Sequence, residues 1–445
     1  MDSEGVTVQH SAIRFDQRLQ RPALSGAATR PLALLALLAA LPFQAAAQQA
    51  AAQQNAAQAD AAQEAAGGLR LTFGIALRAE TDSNADLDPV SPGQTSRAIA
   101  DLGFGLTSET RSSRLELNAG VSVQTETGGA VANNGVVNPF VTLSYGRESA
   151  NAAFSFDAAL RESDLTTQDD VTDFDATTGT RRLARLDAGL QWGINRPLGF
   201  GVTAGLTDTT YQDAPGEADN RSTRLGATAR LDLSEVTTLT LGLRGQRFDE
   251  EGAPDVRDTL GFDAGVDIAR PRGTLGLDLS VEDTEDGQRE TLRFRNSLDL
   301  PRGTLAYSFG AAIGVDDETR LIGSLDYRLD LPRGSLTAAL ARSLQAGSDD
   351  LETAVTRASL GYQQELTPLS RFSLSLNWAE STDTGTGTDL GTTNASIGAT
   401  YRHELTEDWA LDLGYTHRLR DEDGVGEASS DRVFLGLRRE FLALK

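Results

Sequence analysis

The chain of 445 residues carries 64 Asp and Glu against 40 Lys and Arg, a formal net charge of −24, and it has no cysteine. That balance excludes a general nucleic-acid binder, which needs cations against phosphates, and the missing thiols exclude disulfide frameworks, thiolate metal sites and Cys nucleophiles. Mean hydropathy is −0.30 and aromatics make up 6%, which argues against a large soluble aromatic core. A transmembrane β-barrel stays open, because its strands alternate apolar and polar residues and average to neutral.

Residues 1–47 read as a signal-peptide region: Arg30 supplies the basic end, Leu32 to Leu41 the apolar run, and Ala45-Ala46-Ala47 a small-residue cleavage site near Ala47. The run is too short to span about 30 Å of hydrocarbon as a helix. From 48 to 67 the chain is nearly all Ala and Gln, which reads as a flexible exported linker.

From 68 to 445 the period changes to two. Leu69, Leu71, Phe73, Ile75 and Leu77 share one parity, and so a strand face. The alternation recurs in Leu115 to Val123, Ala152 to Leu160, Leu225 to Leu233 and Leu260 to Ile268, and continues to the chain end. About twenty such segments, each of roughly nine to twelve residues, fit tilted transmembrane strands; soluble sandwich strands run nearer five or six. Connectors alternate short and long. The short ones include 108–113, 146–150, 195–199, 365–370, 404–408 and three Pro-Arg-Gly turns, at Pro271 to Gly273, Pro301 to Gly303 and Pro332 to Gly334. The long ones are acidic: Glu80 to Gly93, Ser163 to Thr180, Asp208 to Asn220, Ser381 to Thr392 and Asp421 to Asp431. Asp316 to Thr319 is a short exception on the long-loop side.

On the apolar parity, aromatics gather at the short-turn ends: Tyr145, Trp192, Phe200, Tyr307, Tyr327, Phe372, Tyr401 and Trp409. Such a ring is an interfacial girdle. The C-terminal Val433, Leu435, Leu437 and Phe441 share a face and resemble the terminal targeting strand of bacterial outer-membrane proteins, with four residues following Phe441. These features together resemble the Gram-negative outer-membrane β-barrels, in particular the β-barrel porin families. The resemblance implies an all-β fold: one antiparallel up-and-down barrel of about 20 strands, within 16 to 22, with short periplasmic turns and long acidic extracellular loops. It implies residence in the Gram-negative outer membrane after leader cleavage. It also implies contact with outer-membrane lipid and lipopolysaccharide, and recognition by the barrel-assembly machinery through the strand ending at Phe441.

The other parity faces the lumen. Its mid-strand charges are Arg185, Asp187, Arg230, Arg244, Asp263, Asp278, Arg293, Arg295, Asp326 and Arg328, among small residues such as Gly103, Gly189, Gly226, Gly242, Gly261, Gly276 and Gly398. These charges brace neighbouring strands, select solutes through the local field, or both. No cofactor or metal site is expected. Glu282 to Asp286 and Asp421 to Gly424 read as solvated loops rather than Ca²⁺ ligands. Thr384 to Asp389 joins strands and is no phosphate cradle. His403 and His417 fall on the lipid-facing parity near opposite rims without a convincing Ser beside them, so no catalytic set emerges and no enzyme is expected. The function expected is a passive or weakly selective channel for small hydrophilic solutes. An export conduit for an exopolysaccharide or capsule, and a non-conducting structural or adhesive barrel, fit the same pattern.

Overall fold

An extended chain gathers Leu69, Leu71, Phe73, Ile75 and Leu77 on one side, whereas a helix would scatter them. This period repeats through the computed structural model, which describes residues 68–129, 134–165, 171, 174, 178–253, 256–285, 287–346, 352–383 and 391–444. The expected leader over 1–47, the linker over 48–67 and Thr384 to Asp389 lie outside the described residues.

The strands are β1 (Leu69–Asp82), β2 (Thr95–Glu109), β3 (Ser113–Gly128), β4 (Gly135–Glu148), β5 (Ala152–Asp164), β6 (Thr180–Trp192) and β7 (Leu198–Gln212). They continue as β8 (Asn220–Asp232), β9 (Thr237–Glu250), β10 (Arg257–Arg270), β11 (Gly273–Thr284), β12 (Gly287–Leu300), β13 (Gly303–Ile313) and β14 (Thr319–Leu331). The last six are β15 (Gly334–Ala346), β16 (Glu352–Thr367), β17 (Ser370–Asp383), β18 (Gly391–Glu404), β19 (Trp409–Glu422) and β20 (Gly426–Leu444). Each pairs antiparallel with the next, and β1 pairs with β20, so the 20-stranded sheet closes on itself. Closure leaves no edge with unpaired backbone groups, the condition for strands in hydrocarbon. At about 4.8 Å between strands and a tilt of about 40°, twenty strands make a backbone cylinder of roughly 40 Å diameter.

The strands run from 11 to 19 residues, longer than the roughly nine to twelve that the apolar alternation suggests. The reason is that the ladder needs only backbone, so pairing continues past the apolar band into polar sequence. Asp421 to Asp431 shows it: expected as a long loop, it is mostly strand, with Asp421 opposite Glu427 and a turn over 423–425.

The two faces separate cleanly. Arg244 of β9 reaches Glu282 of β11, and Arg418 of β19 reaches Asp82 of β1; such strand-skipping contacts form on the concave side. The opposite parity carries the exposed apolar side chains, among them Leu225, Leu243, Leu260, Phe309 and Leu321. At the short-turn end of that outer face sit Tyr145, Trp192, Phe200, Tyr307, Tyr327, Phe372, Tyr401 and Trp409, with the Trp192 and Phe200 rings stacked at 5.7 Å. Ten residues up β6 from Trp192, outward charges begin: Glu162 opposite Arg182, Arg221 between Asp208 and Asp249, and Arg247 opposite Asp258. Ten residues at about 3.3 Å along a strand tilted about 40° rise roughly 25 Å, the height of an outer-membrane apolar band.

Three Pro-Arg pairs make two-residue turns between β10 and β11, β12 and β13, and β14 and β15. Pro presets φ at the first turn position, and the following Gly273 and Gly303 take φ of +122° and +142°. The Arg272, Arg302 and Arg333 carbonyls accept the amides of Asp299, Asp330 and Glu365 at 3.2, 2.9 and 2.7 Å, so each turn is tied to the next hairpin. A Cβ at Gly303 would stand 1.8 Å from the Arg328 carbonyl oxygen. Gly303→Ala is therefore expected to cost about 1–3 kcal/mol and lower the melting temperature of the folded barrel. Arg302→Ala, which keeps the carbonyl, should melt like the parent chain; equal melting of both variants would refute this account.

At the seam, Phe73 opposes Phe441, and β20 continues past it to place Leu444 opposite Leu71 after a bulge at Leu71/Thr72. Leu442 to Leu444, beyond the aromatic, thus extend the closing ladder.

Candidate functional site

Alternation places the charged residues of β5 to β14 on the lumen wall, and their reach decides which of them meet. Arg244 bonds Asp263 and Glu282 and donates to Ser280 at 3.0 Å. Arg295 bridges Asp278 and, at 3.1 Å, Asp267. Arg185 donates to Asp187 on its own strand. Arg328 pairs with Asp330 at 3.0 Å. Arg230 clamps the short β6–β7 turn instead, donating to the Gly193, Ile194 and Arg196 carbonyls at 3.2, 2.9 and 2.9 Å. Arg293 stands opposite Asp278 and Gly310 with its Nε buried and without a hydrogen-bond partner. Asp326 faces Ala306 and Ala339.

Glu282 corrects the reading of its acidic stretch as a solvated loop. It stands inside the barrel between Arg244 and Arg289, the latter at 3.0 Å, because β11 runs on to Thr284. Arg289 reaches on to Glu352 at 2.7 Å, and Arg320 meets Glu352 at 3.4 Å and also bonds Asp316. A continuous salt-bridge network therefore lines the wall from β9 to β16. In the β13–β14 turn, the hydrogen bond from Arg320 holds the Asp316 carboxyl below the usual carboxylate range.

A second network sits where the barrel closes. Asp82, 1% exposed, accepts Arg418 at 2.9 Å and Arg432 at 3.0 Å, as well as the Asn84 amide at 3.0 Å and the Ser430 hydroxyl. Beside it Arg97 meets Glu126 at 2.8 Å and Glu80 at 3.4 Å. The segment after β1 folds over this cluster: Asn84 Nδ2 donates to the Ser429 carbonyl at 3.2 Å, and Arg418 donates to the Ala85 carbonyl at 3.2 Å. Burial, then the neighbouring Asp88, pushes the Asp86 carboxyl above its usual range.

Two residues between β5 and β6 also lie inside the barrel. Most of that segment lies outside the described residues, but Val171 and Phe174 are placed against the inner face of β16 to β19, far around the wall from their own strands. Phe174 is 7% exposed and packs with Val355 and Ala379, which are 2% and 0% exposed. Asn394 Nδ2 donates to the Val171 carbonyl at 3.1 Å, and Arg420 donates to the Phe174 carbonyl at 3.3 Å. Phe174 is thus seated by an apolar pocket, and two hydrogen bonds hold the Val171 and Phe174 carbonyls to the same wall.

Both rim histidines face outward. His403 stacks on Tyr401 at 6.3 Å, and His417 Nδ1 lies 2.9 Å from Asp431, which also accepts Tyr415 at 2.7 Å. Three sets of inward residues escape the sequence reading: Arg161 and Arg224, Phe174 with its pocket, and the Asp82 cluster. A signal exists for the second, since Val355 and Ala379 are apolar at inward positions otherwise held by Ser, Thr, Asn and Arg.

No protein-family model matches the chain, and no curated protein matches it. Solved structures do. The ferric enterobactin receptor PfeA of Pseudomonas aeruginosa, in a mutant form, aligns at a TM-score of 0.50 and 10% identity, over 84% of this chain and 81% of that one. The siderophore receptor PirA of the same organism aligns at 0.47 and 13%, over 84% and 80%. OccAB4 of Acinetobacter baumannii aligns at 0.40 and 11%, over 85% and 100%. At such identities the likeness is one of fold, and this single closed sheet has the fold of the Gram-negative outer-membrane β-barrels.

Proposed function

We propose that the protein is a porin-like channel of the Gram-negative outer membrane, passing small hydrophilic solutes through its charged lumen without catalysis. The observation that carries this reading is a 20-stranded closed sheet whose concave face is polar and ion-paired while its convex face is apolar over about 25 Å. Sixteen to eighteen strands already enclose an aqueous channel, and Phe174, seated on the inner face of β16 and β17, takes up part of its cross-section. The outward charges above the apolar band, Arg182, Arg221 and Arg247 with their acidic neighbours, meet lipopolysaccharide headgroups. The strand ending near Phe441 serves as the assembly signal.

Refolded protein in a planar bilayer should give stepwise ion conductance that scales with salt concentration. Inserted, folded protein that carries no current would sink the channel reading and return the structural or adhesive barrel.

A further inference from the structure

The wall charges are unevenly balanced. From β9 to β16 each guanidinium of the network has at least two carboxylates: Arg244 has Asp263 and Glu282, Arg295 has Asp267 and Asp278, and Arg289 has Glu282 and Glu352. On β5, β6 and β8 the ratio inverts. Apart from Arg181, and from Arg230 and Asp232, which pair with one another toward the short-turn end, three inward guanidiniums, of Arg161, Arg185 and Arg224, share a wall with two carboxylates, of Asp157 and Asp187, which stand directly opposite one another.

Asp187 already serves two cations: Arg185 bonds it, and Arg224 Nη2 lies 3.9 Å away. Gly205 separates Asp187 from Arg224 in the ladder and leaves the space over which both lean, since a Cβ there would come within 2.9 Å of the carboxylate and 3.5 Å of the guanidinium. Arg224 also donates to Thr207 at 3.3 Å. Opposite Thr207, Ser222 is 2% exposed and its hydroxyl has no hydrogen-bond partner. Arg161, two positions from the upper end of this patch, is solvent-exposed in the lumen and makes no ion pair or hydrogen bond among the described residues. Arg161 stands three residues before Asp164, the end of β5, from which the inward segment departs. Solute moving along this side of the lumen passes over these groups.

We propose that Arg161, Arg185 and Arg224 form an oxyanion-binding subsite on the lumen wall, taking small solutes that bear a carboxylate or phosphate group. The inference rests on the channel reading and names its substrate class. Planar guanidinium forks offer paired N–H donors that match either oxyanion, and a partly desolvated surplus of like charge is relieved when an anion enters.

The test uses refolded full-length protein with citrate and with inorganic pyrophosphate, measured by calorimetry in detergent and by current interruption in bilayers. Both anions should bind and interrupt current, and the zero-current potential in a KCl gradient should favour anions. Arg161→Gln breaks no contact and should leave folding intact while weakening both anions; R161Q/R224Q should weaken them by roughly tenfold or more. R161K/R224K, which keeps the charge and loses the fork, should fall between. Binding of only one anion assigns the source as carboxylate or phosphate. A parent protein that binds neither, or an Arg161→Gln protein that binds both as tightly, overturns the subsite. Binding that is lost in Arg161→Gln, in a protein that carries no current, upholds the subsite and refutes the channel.

Discussion

Replacing Phe174 by Asp is expected to raise single-channel conductance, by roughly twofold or more, by freeing the inward segment from the far wall. Phe174 has three attachments: the apolar pocket of Val355 and Ala379, the Arg420 bond to its own carbonyl, and the Asn394 bond to Val171 nearby. Truncating a buried Phe removes about 3–5 kcal/mol of packing, and an unpaired carboxylate cannot replace it among apolar neighbours. The two tethers that remain are single hydrogen bonds, each contributing about 1 kcal/mol net. Phe174→Leu, which keeps an apolar plug of smaller volume, should leave conductance near that of the parent. Melting of the barrel should hardly change in either variant, because the wall strands are paired without the segment. If Phe174→Asp conducts like the parent while its melting is unchanged, the anchored segment does not narrow the path.

Asp82→Ala is expected to be the most destabilising single substitution in the described wall. Its carboxylate is buried between Arg418 and Arg432, whose side chains are 6% and 5% exposed, and it fastens β1 to β19 and β20 where the first and last strands meet. Removing one member of a buried ion network costs about 3–5 kcal/mol, since the remaining charges lose compensation. Melting can be followed by the electrophoretic mobility of unheated and heated samples. The parent should hold its compact band to a clearly higher temperature than Asp82→Ala. Should that variant fail to fold, D82L/R418M, which removes a carboxylate and a guanidinium together, should recover much of the loss. No recovery, or melting of Asp82→Ala at the parent temperature, would show that the seam is held by backbone pairing alone.

How much of this was legible beforehand follows from what each feature requires of the sequence. A period of two needs only local composition, so a count of about twenty strands, and the face of wall residues away from bulges and strand ends, follow from alternation, from Leu69 to Leu437. Strand ends do not follow, since the ladder between Asp421 and Glu427 is carried by backbone groups that every residue has. Partners across strands are harder still. Arg289 and Glu352 are far apart in the chain and are brought together by curvature rather than by spacing. Glu282 belongs to an acidic run that looks like a loop, yet the fifth inward position of β11 turns it toward two arginines. Phe174 is a lone aromatic in an acidic stretch, where no periodic rule applies. Its receiving pocket, Val355 and Ala379, is one of the places where the inner face departs from the polar pattern.

The tied Pro-Arg-Gly turns bear on how such a wall can change size. Leu298 to Gly303 and Leu329 to Gly334 are the same hexapeptide, Leu-Asp-Leu-Pro-Arg-Gly, standing 31 residues apart. Each is docked on the following unit by the same carbonyl-to-amide bond. Unequal crossing-over between the two coding stretches would delete or duplicate β13 and β14 and leave the joint unaltered in sequence. The sheet would shrink or grow by two strands, stay even in number, and keep the start of the first strand and the end of the last at one rim. Circumference is thus inherited here in discrete steps, with the hairpin as the unit of gain and loss.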